Sequence, residues 1–313
     1  MLTRLRAALQ AAGLQAAGLD NPEITAGTEG VASPHRLAVE WAGYKVEHDG
    51  AHYYAKVLYD DQRELIDVAH CAAVCQSAAQ TGVAPQLCYA DTTQGVMIFE
   101  ALPEGWRWAR TDDLIAPQQL RRLWQTKSRL HQGQLPVGGK SRFAMLAHLR
   151  QLCERDGAPL PDDAVWLDQC AEMATHALQQ HAAEPVFIHG DGIASNVMLG
   201  PGGELKLVDF DYGGIGDRLY DMAILLNELF PFEREWREQI SHWHGACSEA
   251  DYARCRLYAF IDDWYWTLWG FWLGHTSPRP LEFTKLGQWT LLRCHLCVRD
   301  PRFESWLRNV NGG

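Results

Sequence analysis

The chain has 313 residues, 47% of them hydrophobic, with a net charge of −11 and an isoelectric point of about 5.6. That is enough apolar material for one two-lobed molecule or two small domains, and the acidic balance argues against nucleic acid and anionic membranes as partners. No run of 18 apolar residues exists, so membrane insertion is not expected, and nine scattered cysteines read as reduced thiols in a reducing compartment.

Met1 to Leu19 carries Arg4 and Arg6 among leucines and alanines spaced as in an amphipathic helix, without the apolar core of a signal peptide. A cytoplasmic protein is the expectation. A loop follows at Gly27–Arg36. Leu37–Trp41, Gly43–Val46 and Tyr53–Tyr59 are strand-like, with His48-Asp49-Gly50 as a hairpin turn. Asp67–Gln80 predicts a helix and Val96–Glu100 a strand. From Thr111 onward the pattern is mostly helical. In Pro117–Gln132 the positions Leu120, Leu123, Trp124, Leu130 and His131 recur near a period of 3.6, and Ser141–Arg155 and Asp162–His181 predict further helices. There is no internal repeat and no low-complexity linker.

Two strand–loop units then follow. Pro185–Ile188 reads as a strand entering His189-Gly190-Asp191, with Asn196 five residues after the acid. Beyond the turn Gly200-Pro201-Gly202-Gly203, Glu204–Val208 reads as a strand entering Asp209-Phe210-Asp211. Phosphoryl transfer from ATP needs this set: one carboxylate to position and deprotonate a hydroxyl, and an amide oxygen with a second carboxylate to hold Mg²⁺ against the triphosphate. An ordinary polar surface loop would explain Gly192 or Asn196 alone, but not two units that each end in an acid.

The stretch from about residue 25 to 300 resembles the aminoglycoside phosphotransferase / choline kinase superfamily. His189-Gly190-Asp191 is the aminoglycoside-phosphotransferase spelling of the catalytic loop. Val208-Asp209-Phe210-Asp211-Tyr212 resembles the choline kinase Ile-Asp-Phe-Glu-Tyr, with Asp at 211 in place of Glu. Gly216-Asp217-Arg218-Leu219-Tyr220-Asp221-Met222-Ala223 resembles the segment that follows in bacterial members. The resemblance implies an α+β, protein-kinase-like fold, with a small β-rich nucleotide-binding lobe at 1–102 and a larger, mainly helical lobe at 103–313. It implies Asp191 as catalytic base, with His189 and Asp221 supporting its loop. Asn196 and Asp209 are then Mg²⁺ ligands, with Asp211 assisting. Lys56 is implied at the α/β-phosphates of ATP, Ser33 in the phosphate-covering loop, and the backbone from Glu100 to Leu102 against adenine.

Two positions depart from that pattern. The loop at 27–36 has Gly27 and Gly30 but no Gly-x-Gly-x-x-Gly, so fewer backbone N–H groups can approach phosphate. The helix acid that should pair with Lys56 falls near His70 or Cys71. Glu64 and Asp67 are the nearest acids.

Asp262–Trp272 holds four Trp, a Tyr, a Phe and two Asp in eleven residues. Trp269-Gly270-Phe271-Trp272 resembles the Trp-Gly-Leu-Trp of choline kinases. Trp269 and Trp272 lie three apart on one helix face, and Trp faces near acids suit a quaternary ammonium by cation–π attraction. Trp264 and Trp266 are two apart and cannot share a face. Glu228 and Asp263 are candidate counter-charges. The expected activity is ATP- and Mg²⁺-dependent phosphorylation of a small cationic alcohol such as choline. An aminoglycoside acceptor and a pseudokinase acting by binding are the alternatives, and a homodimer is left open. Cys294-His295-Leu296-Cys297 and His242, His244 and Cys247 could form a zinc site, although C-x-x-C in a helical pattern is more often packing.

Overall fold

The structure is a computed structural model that describes residues 1–14, 22–32, 36–136, 138, 141–180 and 183–310. The first lobe runs through α1 (Leu2–Ala11), β1 (Glu23–Ala26), the short hairpin of β2 (Val31–Ala32) and β3 (Arg36–Leu37), β4 (Trp41–His48), β5 (Ala51–Leu58), α2 (Val68–Gln80), β6 (Leu87–Asp91) and β7 (Val96–Glu100). Its sheet has the order β1-β4-β5-β7-β6 with antiparallel neighbours throughout. The β4–β5 hairpin turns at Asp49 and Gly50, with φ of 50° and 73°, the left-handed pair that matches the right-handed twist of the flanking strands.

Alternation along these strands gives the sheet two apolar faces. Val46, Ala55, Val57 and Ile98 point to one side, where Leu5, Ala8 and Leu9 of α1 cover them. Arg4 fastens α1 by donating to the carbonyls of Leu58 (2.8 Å) and Gln94 (2.7 Å). The amphipathic N-terminal helix therefore ends at Ala11, and part of the stretch expected to continue it lies outside the described residues. The strand expected at Leu37–Trp41 is not a single strand. Ala38 has a φ of 50°, a conformation incompatible with an extended chain, and it separates β3 from β4. β1 fills the sheet position next to β4 instead.

The second lobe begins with β8 (Arg107–Trp108), α3 (Thr111–Ile115), α4 (Pro117–His131), α5 (Arg142–Asp156) and α6 (Ala164–Gln180). It continues through β9 (Val186–Ile188), β10 (Val197–Leu199), β11 (Leu205–Leu207) and β12 (Gly214–Gly216). The chain closes with α7 (Arg218–Leu229), α8 (Glu233–His244), α9 (Glu249–Thr276), α10 (Phe283–Val298) and α11 (Phe303–Asn309). The helices expected near 117, 141 and 162 are α4, α5 and α6, and the strands expected at 185 and 204 are β9 and β11. This is the α+β arrangement of a small sheet lobe and a larger helical lobe.

The 28-residue α9 is the axis of the second lobe, and α5, α6, α7, α10 and α11 all pack on it. α10 lies closest. A Cβ on Gly270 would come within 2.5 Å of the Gly287 backbone nitrogen. The glycine of Trp-Gly-Phe-Trp is there because two helix backbones meet at that point.

Candidate active site

β9 delivers His189, and the chain turns sharply at Gly190, which has a φ of 76°. A Cβ at this position would sit 1.9 Å from the Tyr212 carbonyl oxygen. Gly190→Ala is therefore expected to cost about 3 kcal/mol or more of unfolding free energy, read as a lowered denaturant midpoint at unchanged slope. Asp221, fully buried on α7, ties the loop down. Its Oδ1 accepts from the Gly190 N–H (3.0 Å) and from Lys127 Nζ (3.0 Å), and its Oδ2 faces His131 Nε2 at 2.9 Å. Burial alone would raise the Asp221 pKa, but Lys127 and His131 outweigh it and hold the group well below the usual carboxylate range. His189 Nε2 lies 2.8 Å from the Val208 carbonyl and donates to it. Burial and the nearby Lys127 hold its imidazole neutral.

Asp191 is almost fully buried, and both its oxygens accept from Arg36 Nη2 at 2.9 Å. Arg36 Nη1 donates to Glu40 Oε1 at 3.1 Å. Burial pushes the Glu40 carboxyl up to about 7 against the pull of Arg36. This network joins β3 and the start of β4 to the loop after β9, so it crosses between the lobes.

Asp209 follows β11 with a φ of 65°, a left-handed conformation that a non-glycine residue adopts only when its surroundings hold it there. Lys56 Nζ donates to Asp209 Oδ1 at 2.5 Å and lies 3.8 Å from Asp211 Oδ1. Asp211 Oδ2 accepts from the Trp41 indole at 2.5 Å. Burial raises the Asp209 pKa, but Lys56 more than compensates. The Asp211 pKa is raised well above the usual range, first by burial and then by Asp209. The Asn196 side chain is buried, and the backbone carbonyl of the same residue accepts from the N–H of Val208, beside Asp209. Two carboxylates and an amide oxygen are hard donors that suit Mg²⁺. Among the described residues Asp211 Oδ1 has no hydrogen-bond partner, which leaves it available as a ligand. With Lys56 between the two acids, no group of three His, Cys, Asp or Glu among the described residues is arranged to hold a metal.

The acid expected to pair with Lys56 is therefore neither Glu64 nor Asp67. Glu64 pairs with Arg155 on α5 (2.9 Å), and Asp67 caps α2 by accepting from the N–H groups of Ala69 and His70 (3.0 and 3.1 Å). Lys56 is held by the second lobe instead. Near the end of β7 the amides of Glu100 and Ala101 are already bonded, to Gln86 and His52, and Leu102 lies just beyond them. Ser33 lies outside the described residues.

The aromatic wall differs from the one expected. The Arg36 guanidinium carbon stands 3.3 Å from the centre of the Trp266 ring. Beside it, Arg142 lies over Tyr212 and Tyr265 at 4.8 and 4.5 Å, and its Nη2 is 3.1 Å from Asp262 Oδ1. Trp269 is fully buried between Trp266 and Phe283. Trp272 is buried too, and its indole donates to Asp156 at the end of α5 (2.8 Å). Trp269 and Trp272 thus fill the core, Trp269 against Phe283 and Trp272 against the end of α5. Trp266 faces the catalytic loop. Asp263 accepts from Arg293 and from Asn227 (2.8 Å), and burial pushes its carboxyl up to about 6. Of the two expected counter-charges, Asp263 therefore already faces a cation. Cys294 points to Thr267, Cys297 to the Arg256 carbonyl and His295 to Asp163, each in a different direction.

Arg36, Glu40, Lys127 and Arg142 are site residues that no motif in the sequence marks, and of the tryptophans of α9 it is Trp266 that lies against Arg36 and Arg142. The usable signal was the position of Arg36 at the end of the phosphate-side loop.

Three comparisons bear on this geometry. The model of the phosphotransferase enzyme family matches residues 35–258. Over 98 residues the chain is 29% identical to the aminoglycoside 3'-phosphotransferase of Escherichia coli, a match spanning 31% of this chain and about a third (36%) of that protein's length. A choline/ethanolamine kinase family protein from Mesorhizobium loti superposes with a TM-score of 0.77 at 22% identity over the whole of both chains. LicA, the choline kinase of Streptococcus pneumoniae, solved in complex with AMP, superposes with a TM-score of 0.70 at 15% identity, covering 91% of this chain and 93% of that one. The two structural likenesses establish the protein-kinase-like fold. With a family match running from the start of β3 into α9, through every element of the site up to that helix, the chain belongs to the phosphotransferase enzyme family.

Proposed function

We propose that the chain transfers the γ-phosphoryl group of ATP to the hydroxyl of a small cationic alcohol of the choline or ethanolamine type. Mg²⁺, when bound, neutralises charge on the triphosphate. Asp191 takes the proton from the hydroxyl. Asn196 and Asp209 hold the metal, with Asp211 assisting. Lys56 releases Asp209 and moves to the α/β-phosphates. His189 holds the loop through the Val208 carbonyl, and the backbone at Glu100 and Leu102 receives adenine. Positioning and charge neutralisation supply most of the rate.

One observation carries the choice of acceptor. Asp191 and the face of Trp266 already share a cation, the Arg36 guanidinium. A space that holds positive charge between an aromatic face and the catalytic carboxylate suits an ammonium tethered to a hydroxyl. Trp266 then does the work expected of Trp269 and Trp272. Glu228 and Asp263 add negative charge behind it, Asp263 through Arg293.

The test is ADP release from Mg-ATP with choline, ethanolamine and an aminoglycoside panel. Release with an amino alcohol is the expected result. Release with aminoglycosides alone would favour the second reading, to which the Escherichia coli relative and His189-Gly190-Asp191 point. Thermal stabilisation by Mg-ATP with turnover on none of them would make the chain a binding pseudokinase and end both readings.

A further inference from the structure

Arg36 meets three partners at once. It stacks on Trp266, binds both oxygens of Asp191 through one nitrogen, and reaches Glu40 through the other. The side chains of Arg36, Asp191 and Glu40 are all at most 6% exposed. The guanidinium fills the space between Asp191, Glu40 and the face of Trp266. A second cation entering the same space must therefore expel it.

The neighbouring cation cannot play this part. Arg142 donates to the Tyr220 hydroxyl (2.6 Å) and the Gly190 carbonyl (3.0 Å) and faces Asp262, so it is built into the loop support. Arg36 instead belongs to the two-residue strand β3, paired only with the two-residue β2 and followed by Ala38 in a left-handed conformation. Ser195 Oγ donates to the Arg36 carbonyl at 3.1 Å, which anchors the backbone, so expulsion needs the side chain alone to move. Its departure uncovers two acids and one indole face, a site shaped for another cation.

We propose that the Trp266–Glu40–Asp191 space is the subsite for the acceptor's ammonium group and that Arg36 is its internal occupant, which a small ammonium ligand displaces by exchange of like charge. This rests on the amino-alcohol reading above, and it adds a competitor built into the chain. The apparent affinity for a cationic ligand is then lowered by the fraction of molecules in which Arg36 fills the subsite.

The test uses the full chain with Arg36→Ala and, in case that variant folds poorly, Arg36→Lys, with circular dichroism to check the fold. Tetramethylammonium, which cannot be phosphorylated, is titrated by calorimetry in the presence of Mg-ADP. Steady-state constants are measured for choline and for ATP. Arg36→Ala is expected to bind tetramethylammonium roughly tenfold more tightly and to lower the KM for choline by a similar factor, with the KM for ATP unchanged and Arg36→Lys in between. Trp266→Leu in the Arg36→Ala background should reverse the gain. A raised KM for ATP with unaltered tetramethylammonium binding would place Arg36 on the nucleotide and overturn the proposal. So would a loss of kcat at constant choline KM, which would make Arg36 part of the transfer step. If no acceptor turns over, the amino-alcohol reading fails, yet the tetramethylammonium titration still decides whether Arg36 fills a cation subsite.

Discussion

Asp191→Asn is expected to lower kcat for phosphoryl transfer about 10²–10⁴-fold, the usual worth of a positioned general base. The substitution keeps the shape of the side chain, so Ile193 N–H, 3.3 Å from Oδ1, retains an acceptor. Arg36 loses half of its charge compensation but keeps Glu40, so the stability cost should stay near 1–3 kcal/mol, the range for one buried polar partner lost. Nucleotide binding is expected to persist, because Lys56, Asp209 and Asp211 lie on a separate set of contacts. Single-turnover phosphorylation of the acceptor, together with a Mg-ATP binding titration, separates these effects. A kcat within tenfold of wild type would mean that some other group takes the proton.

Asp221→Asn should have the largest effect on stability. Lys127 Nζ and the Asp221 carboxylate are 3.0 Å apart, and their side chains are 1% and 0% exposed. Removing the negative charge leaves an ammonium buried without compensation, which typically costs 3–5 kcal/mol. Against a total of about 5–15 kcal/mol for a whole domain, this brings the protein close to unfolding. Asp221→Asn/Lys127→Met removes both charges and should recover much of the loss. Equal stability of the single and double variants would mean that the pair is not the source. The pH dependence has a definite sign. The folded-state pKa of Asp221 is depressed, so its stabilisation is fully present above the unfolded-state carboxylate value of about 3.9 and drains away as the pH falls from there toward the folded value. The gap between wild type and Asp221→Asn in denaturant titrations should stay flat from about pH 5 to 8 and close only in stronger acid.

The strand–loop units around Asp191 and Asp209 could be read in the sequence because each is a short strand-like run that ends in an acid, with Gly190 before the first. The helices α4 to α6 could be read because their apolar positions keep the helical period. What could not be read depended on contacts between distant segments. Lys56 finds its partner 153 residues away in the other lobe, whereas the nearest acids in sequence, Glu64 and Asp67, are taken by Arg155 and by the cap of α2. Helical spacing placed Trp269 and Trp272 on a common face, but no period says which face of α9 looks toward the catalytic loop. That is decided where Gly270 meets Gly287. Arg36 sits among short-range irregular structure with no period at all, so its role follows only from the packing of β3 on the second lobe.

The contact at Gly270 and Gly287 also separates two design variables in this protein. α9 meets α10 main chain against main chain at this point, with no room for a side chain between the two helices. Trp266 can therefore be exchanged to change which acceptor is preferred while this contact keeps α9 against α10, whereas Asp262 is tied to Tyr220 and Arg142 and belongs to the loop support. A search for new acceptors belongs at position 266, with residues 262 and 270 left as they are.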